Sequence, residues 1–189
     1  MNRPLAVGIP SESNNATIKL KLRSINQLFN SMDPSPFVEK DLDADAEEFI
    51  VSWAQEFPRR APLTLRVYLE QRPAEEPTAV VREAVHNYFA YRRNLNELEF
   101  RRLMKLGRIS LLIGLLFLGA CLATTTTLLA SAQGKWADVL RESVTIGGWV
   151  AMWRPMEIYL YEWWPLRQMG RTYSKLSRMP VEVSCDAGG

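Results

Sequence analysis

The chain has very little of what metal and nucleophilic catalysis need. Its 189 residues include one histidine, His86, and two cysteines, Cys121 and Cys185. A single imidazole excludes a haem or zinc centre built from paired ligands. The cysteines, one in an apolar run and one near the C-terminus, have neither disulfide-pair nor metal-ligand spacing. No glycine-rich phosphate loop, nucleophile elbow or paired-histidine motif is present. Neither sign of charge dominates: 23 Lys and Arg stand against 21 Asp and Glu, for a net charge of +2. That balance lacks the concentrated basic face of a nucleic-acid binder. The expectation is a non-enzymatic chain with no catalytic residue, no cofactor, no metal and no nucleic-acid partner.

Charge is also missing locally, and this absence is the strongest signal in the sequence. Residues 109–134, ISLLIGLLFLGACLATTTTLLASAQG, contain no Asp, Glu, Lys or Arg. A helix of ~20 apolar residues crosses a bilayer, and a core helix of so small a protein is rarely apolar all round. The start of the chain, MNRPLAVGIPSESNNAT, lacks the apolar centre of a cleaved signal, so the first span is expected to act as its own insertion signal. Arg101, Arg102, Lys105 and Arg108 precede that span. Arg167, Arg171, Lys175 and Arg178 follow a second apolar region, and the loop between has only Lys135 and Arg141. The positive-inside rule then puts both termini in the cytoplasm, in an integral membrane protein expected in a bacterial inner membrane.

Ahead of the membrane portion, hydrophobic period predicts a small domain. Residues 1–16, rich in Asn, Ser and Pro, read as a flexible leader. Residues 17–23 alternate, with Ile18, Leu20 and Leu22 on one face and Lys19, Lys21 and Arg23 on the other, as a half-buried strand does. Residues 28–40 contain Pro34 and Pro36 and read as an irregular loop. Residues 41–57 read as a helix capped by Asp43 or Asp45, with Glu47 and Glu48 suiting its N-terminal dipole and Phe49, Ile50, Trp53, Ala54 and Phe57 on one face. Pro58 and Pro62 enforce its end. A second strand follows at 63–69, then a turn at 72–77. From Thr78 a helix has no reason to stop before the membrane. The β-α-β order implies a right-handed parallel pair, which is marginal as a two-stranded sheet. Residues 179–184, with Val181 and Val183 alternating, are either a third strand on that sheet or a frayed tail.

The second apolar region, 143–164, is free of charge for eleven residues before Arg154, Pro155 and Glu157 interrupt it. As a helix, its twenty-two residues cover about 33 Å. That length places Arg154 near mid-depth, where a charge costs ~2.5–3.5 kcal/mol on insertion scales. Arg154 and Glu157, three apart, can pair on one helix face. The pair is a structural ion pair, a contact for a partner membrane protein or a second copy, or part of a conduction path in an oligomer. A re-entrant hairpin would put the cationic tail outside. Tyr159, Tyr161, Trp163 and Trp164 match an aromatic belt at the headgroups. Gly119 and Ala123 have small-xxx-small spacing, and Gly147 and Gly148 offer a surface for close helix approach.

Two signals tempt and fail. Asp41, Asp43 and Asp45 match the opening of a calcium loop, but the positions that need glycine and glutamate hold Ala46 and Ser52. His86 has no second ligand near it and reads as a packing or surface residue. The sequence therefore predicts an α+β cytoplasmic domain at 17–106, a two-helix transmembrane hairpin at 107–165 with spans of about 109–130 and 143–164, and a cytoplasmic tail at 166–189. Its expected partners are membrane lipid and a protein, either in a membrane complex or as a homo-oligomer. The function expected is a membrane-anchored scaffold, adaptor or accessory subunit; the alternative is a homo-oligomeric channel or transporter-like assembly using Arg154 and Glu157.

Overall fold

The computed structural model describes residues 16–36, 39–58, 60–71, 78–127 and 134–185, the last by its backbone alone. The expected leader up to residue 15, the turn at 72–77 and the far end of the first span lie outside the described residues. The fold is mostly helical, with a three-stranded parallel sheet. It divides into two compact units: Met1–Leu95 with Met169–Gly189, and Asn96–Gln168.

In the first unit, β1 (Ala16–Leu22), β2 (Leu63–Leu69) and β3 (Val181–Cys185) lie in the order β1-β2-β3. The register pairs Ile18 with Leu65 and Leu65 with Val181, and all strands run parallel. The tail is thus a strand. The order advances in one direction, so right-handed crossovers place every connecting helix on the same face. The alternation agrees: Ile18, Leu20, Leu65, Val67 and Val181 are buried, whereas Lys19, Arg66 and Glu182 lie on the opposite face. α1 (Ala44–Glu56) buries Ala46, Ile50 and Ala54, and its cap is Asp43, whose side chain accepts from the Asp45 amide. Val81, Ala84, Val85 and Phe89 complete the core from α2 (Thr78–Thr127), with Tyr173 and Leu176 from the last helix of the chain.

The proline-containing loop before α1 is held by Asp33. One carboxylate oxygen accepts from the Ser35 amide at 2.9 Å and the other from the Asp41 amide at 2.8 Å. The Asp41 and Ser35 amides hold this carboxyl below its ordinary pKa, because amide dipoles favour its charged form. His86 also has a structural use, its Nε2 lying 2.7 Å from the Met179 carbonyl oxygen.

α2 is one continuous helix of 50 residues. Among the described residues it alone is long and apolar enough to cross a membrane, and 17% of its most apolar window is buried. The second apolar region does not form the single twenty-two-residue helix that its length suggests. α3 (Lys135–Ala151) ends shortly before Pro155. A short α4 (Trp153–Glu157) follows, then a π-turn at Ile158–Glu162, then α5 (Trp163–Leu176). The cause is in the sequence: Pro155 and Pro165 have no N–H for the carbonyls of Ala151 and Tyr161, so the helical ladder is interrupted twice. Trp163 Nε1 donates to the Tyr159 carbonyl at 2.7 Å, satisfying one acceptor in the widened turn.

Candidate functional site

The helical unit, 96–168, brings the residues of interest together. Arg154 and Glu157 pair as their spacing predicts, Nη1 donating to Glu157 Oε2 at 3.0 Å. A third group, Glu162, joins them: Arg154 Nη1 donates to its Oε1, and Nη2 to Oε2 at 3.3 Å. On a regular α-helix a residue eight positions on points about 80° away. The π-turn, with i→i+5 bonding, takes more residues per turn and carries Glu162 back toward the Arg154 side. Sequence reasoning missed Glu162 because α-helical spacing does not place it there. A π-turn is frequent at functional sites, and the second proline, Pro165 after Pro155, was the available signal. The cluster holds two carboxylates and one guanidinium, so one negative charge is in excess. Its side chains are 51%, 44% and 30% exposed for Arg154, Glu157 and Glu162.

Close contacts fix the level of this cluster along α2. A Cβ on Gly107 would come within 2.9 Å of Ile158 Cγ2; on Gly114, within 3.1 Å of the Ala151 carbonyl oxygen; on Gly148, within 2.9 Å of Leu118 Cδ1. Farther along, Asn96 Nδ2 donates to the Leu166 carbonyl at 2.8 Å. The two stretches therefore run antiparallel, and Arg154 lies between the levels of Gly107 and Gly114. That is the start of the uncharged run at residue 109, not its centre. The expectation of mid-depth measured the second region from its own ends; packing against α2 measures it from the other helix.

The glycines divide in an instructive way. Gly148 is buried against Leu118 and Cys121. Gly119 and Gly147 have no neighbour within 4 Å of a built Cβ, and Ala123 is exposed, so these three leave close approach in the single chain to others. The seam on α2 is Gly107, Gly114 and Cys121, at intervals of seven. Gly119 stands two residues from Cys121, about 200° round the helix. The absence of a side chain at Gly114 has a specific use. Pro155 releases the Ala151 carbonyl, and the missing side chain lets that oxygen lie against α2 without the shift of a few tenths of an ångström that a Cβ would require.

The sheet unit has a polar network of its own. Arg92 Nε approaches Glu47 Oε1 to 2.6 Å, off the N–H direction, so this contact is electrostatic rather than a hydrogen bond. Tyr88 Oη donates to Glu47 at 2.6 Å, and Arg92 Nη2 donates to Tyr173 Oη at 3.2 Å. Burial, then the hydrogen bond to Glu47, pushes the Tyr88 pKa up and keeps the phenol neutral. Burial opposes the Arg92 charge, but the Glu47 carboxylate and Tyr173 outweigh it and raise its pKa. This network ties α1, α2 and α5 across the core.

No protein-family model matches the chain, and neither a curated protein nor a solved structure does so.

Proposed function

We propose that this protein is a membrane-anchored, non-enzymatic scaffold, adaptor or accessory subunit, whose sheet unit binds another protein. The observation that carries the anchor is the outward-facing apolar surface of the helical unit. Leu112, Ile113, Leu116, Trp149, Val150 and Trp153 are each at least 60% exposed. Monomeric soluble proteins rarely expose contiguous apolar patches beyond a few hundred Å², and a bilayer is the solvent that removes the penalty.

In this reading α2 crosses the membrane and the second apolar region returns beside it as a hairpin. The antiparallel contacts from Gly107 to Cys121 support the return, and the cations flanking both regions favour cytoplasmic termini; a bacterial inner membrane is part of the proposal. The charge-free part of the return, residues 143–153, measures about 16 Å, roughly half the ~30 Å hydrocarbon thickness. Arg154, Glu157 and Glu162 then lie at the cytoplasmic boundary, where headgroups and water reach them. The remaining length, 135–142, carries Asp138 and Glu142 as well as Lys135 and Arg141. Arg141 pairs with Asp138, the long cationic side chains extend toward the opposite surface, and local thinning brings that surface closer to the two carboxylates.

Membrane fractionation with reporter fusions after Leu69, after Val183 and near Gln133 tests this reading. Resistance to carbonate extraction, with the first two reporters cytoplasmic and the third outside, supports the anchored hairpin. Release by carbonate overturns the anchor, and an external C-terminus overturns the hairpin. Crosslinking from native membranes then identifies the protein partner. A second reading, a homo-oligomeric channel or transporter-like assembly, is favoured by one feature, the excess negative charge of the Arg154 cluster. A mass of four or more copies in nanodiscs supports it; a monomer or dimer supports the adaptor.

A further inference from the structure

We propose that copies of this chain associate head to tail in the membrane, the outward face of α2 in one copy docking on the outward face of the returning stretch in the next. Such contacts give a homo-oligomer its interface, serve a scaffold as well as an enclosed path, and rest on the membrane anchor.

The two faces are opposite sides of the helical unit. Lys105, Leu112 and Gly119 each stand two residues before a seam residue, Gly107, Gly114 or Cys121. They therefore lie about 200° round α2 from its packed side. All three are exposed, and a Cβ on Gly119 would meet nothing within 4 Å. Ala123, one turn beyond Gly119, continues this exposed side. On the return, Ile146 and Val150 stand two residues either side of the buried Gly148, and Trp153 and Glu157 two either side of the buried Pro155. The same geometry turns these four away from α2. Ile146, Val150 and Trp153 are exposed, and the Glu157 carboxylate is half-exposed.

Contacts within one chain give the two faces a common scale. Glu157 precedes Ile158, which packs at Gly107, so its carboxylate is level with Lys105 and Arg108. Gly148 meets Leu118 and Cys121, so Ile146 and Val150 lie within about one turn of the level of Gly119. A bilayer holds every copy at one depth and in one orientation, and residues level within a chain are then level between neighbouring chains. Side by side, the cluster of Arg154, Glu157 and Glu162, with its excess negative charge, meets the exposed Lys105 and Arg108. Deeper in the bilayer, the large Ile146 and Val150 meet the small Gly119 and Ala123, and small residues are what let helices approach in lipid. Charge and size match at two separate levels.

A two-fold pair fits these faces poorly, because it uses one face twice. Two α2 faces would set Lys105 against Lys105, and two returning faces Glu157 against Glu157, and like charges placed together disfavour a partner. The head-to-tail contact alone sets opposite charges together.

The test uses the full chain in liposomes at a fixed protein-to-lipid ratio, with Cys121→Ala and Cys185→Ser as the background and disulfides formed by copper phenanthroline. Chains carrying Gly119→Cys and chains carrying Ile146→Cys, reconstituted together, should join as a mixed dimer. Either chain alone should give about tenfold less product. Lys105→Glu in the Gly119→Cys chain should lower the mixed product about tenfold, by setting like charges together. Adding Glu157→Lys to the Ile146→Cys chain should restore it, which separates charge from misfolding. Equal product from Gly119→Cys alone indicates two-fold pairing through α2 and overturns the proposal, as does a mixed product that Lys105→Glu leaves unchanged. No mixed product from chains that resist carbonate overturns the interface and leaves the anchor standing; release by carbonate overturns both.

Discussion

The two units place the same kind of side chain on opposite sides. In the sheet unit Leu65, Leu69, Ile50 and Phe89 are fully enclosed, and the exposed positions of β1 carry lysine. In the helical unit Leu116 and Trp153 are 68% and 70% exposed, while the close contacts between helices are made by Gly107, Gly114 and Gly148. A sheet in water is held by driving leucine inward, at about 25 cal/mol per Å² buried. Helices in lipid gain nothing from that exchange and are held by close backbone approach at small residues. In the membrane-anchored reading proposed above, one chain serves two solvents, with the change of rule falling inside α2 and again inside α5.

Truncating or charging a leucine in each unit probes this contrast most severely. Leu65→Ala should cost the sheet unit ~2–5 kcal/mol, as enclosed leucines do, measured by denaturant unfolding in detergent. Leu116→Ala should change stability little, whereas Leu116→Asp should lower membrane insertion, because a central carboxylate costs ~2.5–3.5 kcal/mol. A harmless Leu116→Asp means that this face meets water.

The Arg154 cluster comes next in size. Arg154→Ala leaves two carboxylates without their cation. If lipid or a partner covers the cluster, folded yield falls sharply, and replacing Arg154, Glu157 and Glu162 together by Leu recovers it. If water reaches it, as its level near the start of the apolar run implies, the single substitution leaves folded yield nearly unchanged. Folded yield of the two variants decides between these. A triple variant that folds but loses its native partner identifies the cluster as a contact.

Gly114→Leu should weaken the helix pairing by ~1–3 kcal/mol through overpacking, because its side chain meets the Ala151 carbonyl. Gly119→Leu should leave the single chain unaffected, since open space surrounds that position. Thermal unfolding of the two variants compares them directly; a large loss for Gly119→Leu points to a contact with a second chain.

A pH effect is the most modest. The Asp33 pKa is lowered in the fold, so its contribution is complete above the ordinary value of 3.8 and is lost as pH falls through the lower folded value. The amide signals of Ser35 and Asp41 should hold through neutral pH and shift only below that ordinary value. A shift near pH 5 contradicts the assignment of Asp33 as their acceptor.

Much of the sheet unit was legible in the chain because period-2 and period-3.6 patterns are local. Ile18, Leu20 and Leu22 define their strand without reference to a partner, and Asp43 or Asp45 announces a helix start, of which the fold uses Asp43. The continuity of α2 was legible as well, since nothing between Thr78 and Thr127 breaks a helix. The Arg154–Glu157 contact followed from spacing alone. Glu162 did not, because the π-turn that returns it arises from two distant prolines and the packing between them. The choice among glycines was equally hidden: any glycine permits close approach, and only the partner helix selects which ones use it.

Local pattern was enough for the secondary elements, the uncharged run and the cationic flanks, since each depends on neighbours along the chain. Packing settled the rest. It made residues 181–185 a third strand rather than a tail, because a strand exists only against another strand's hydrogen bonds. It selected Gly107 and Gly114 over Gly119, and set the level of Arg154 by Ile158 and Ala151 against α2. Those outcomes depend on contacts between residues far apart in the chain, which no local pattern encodes.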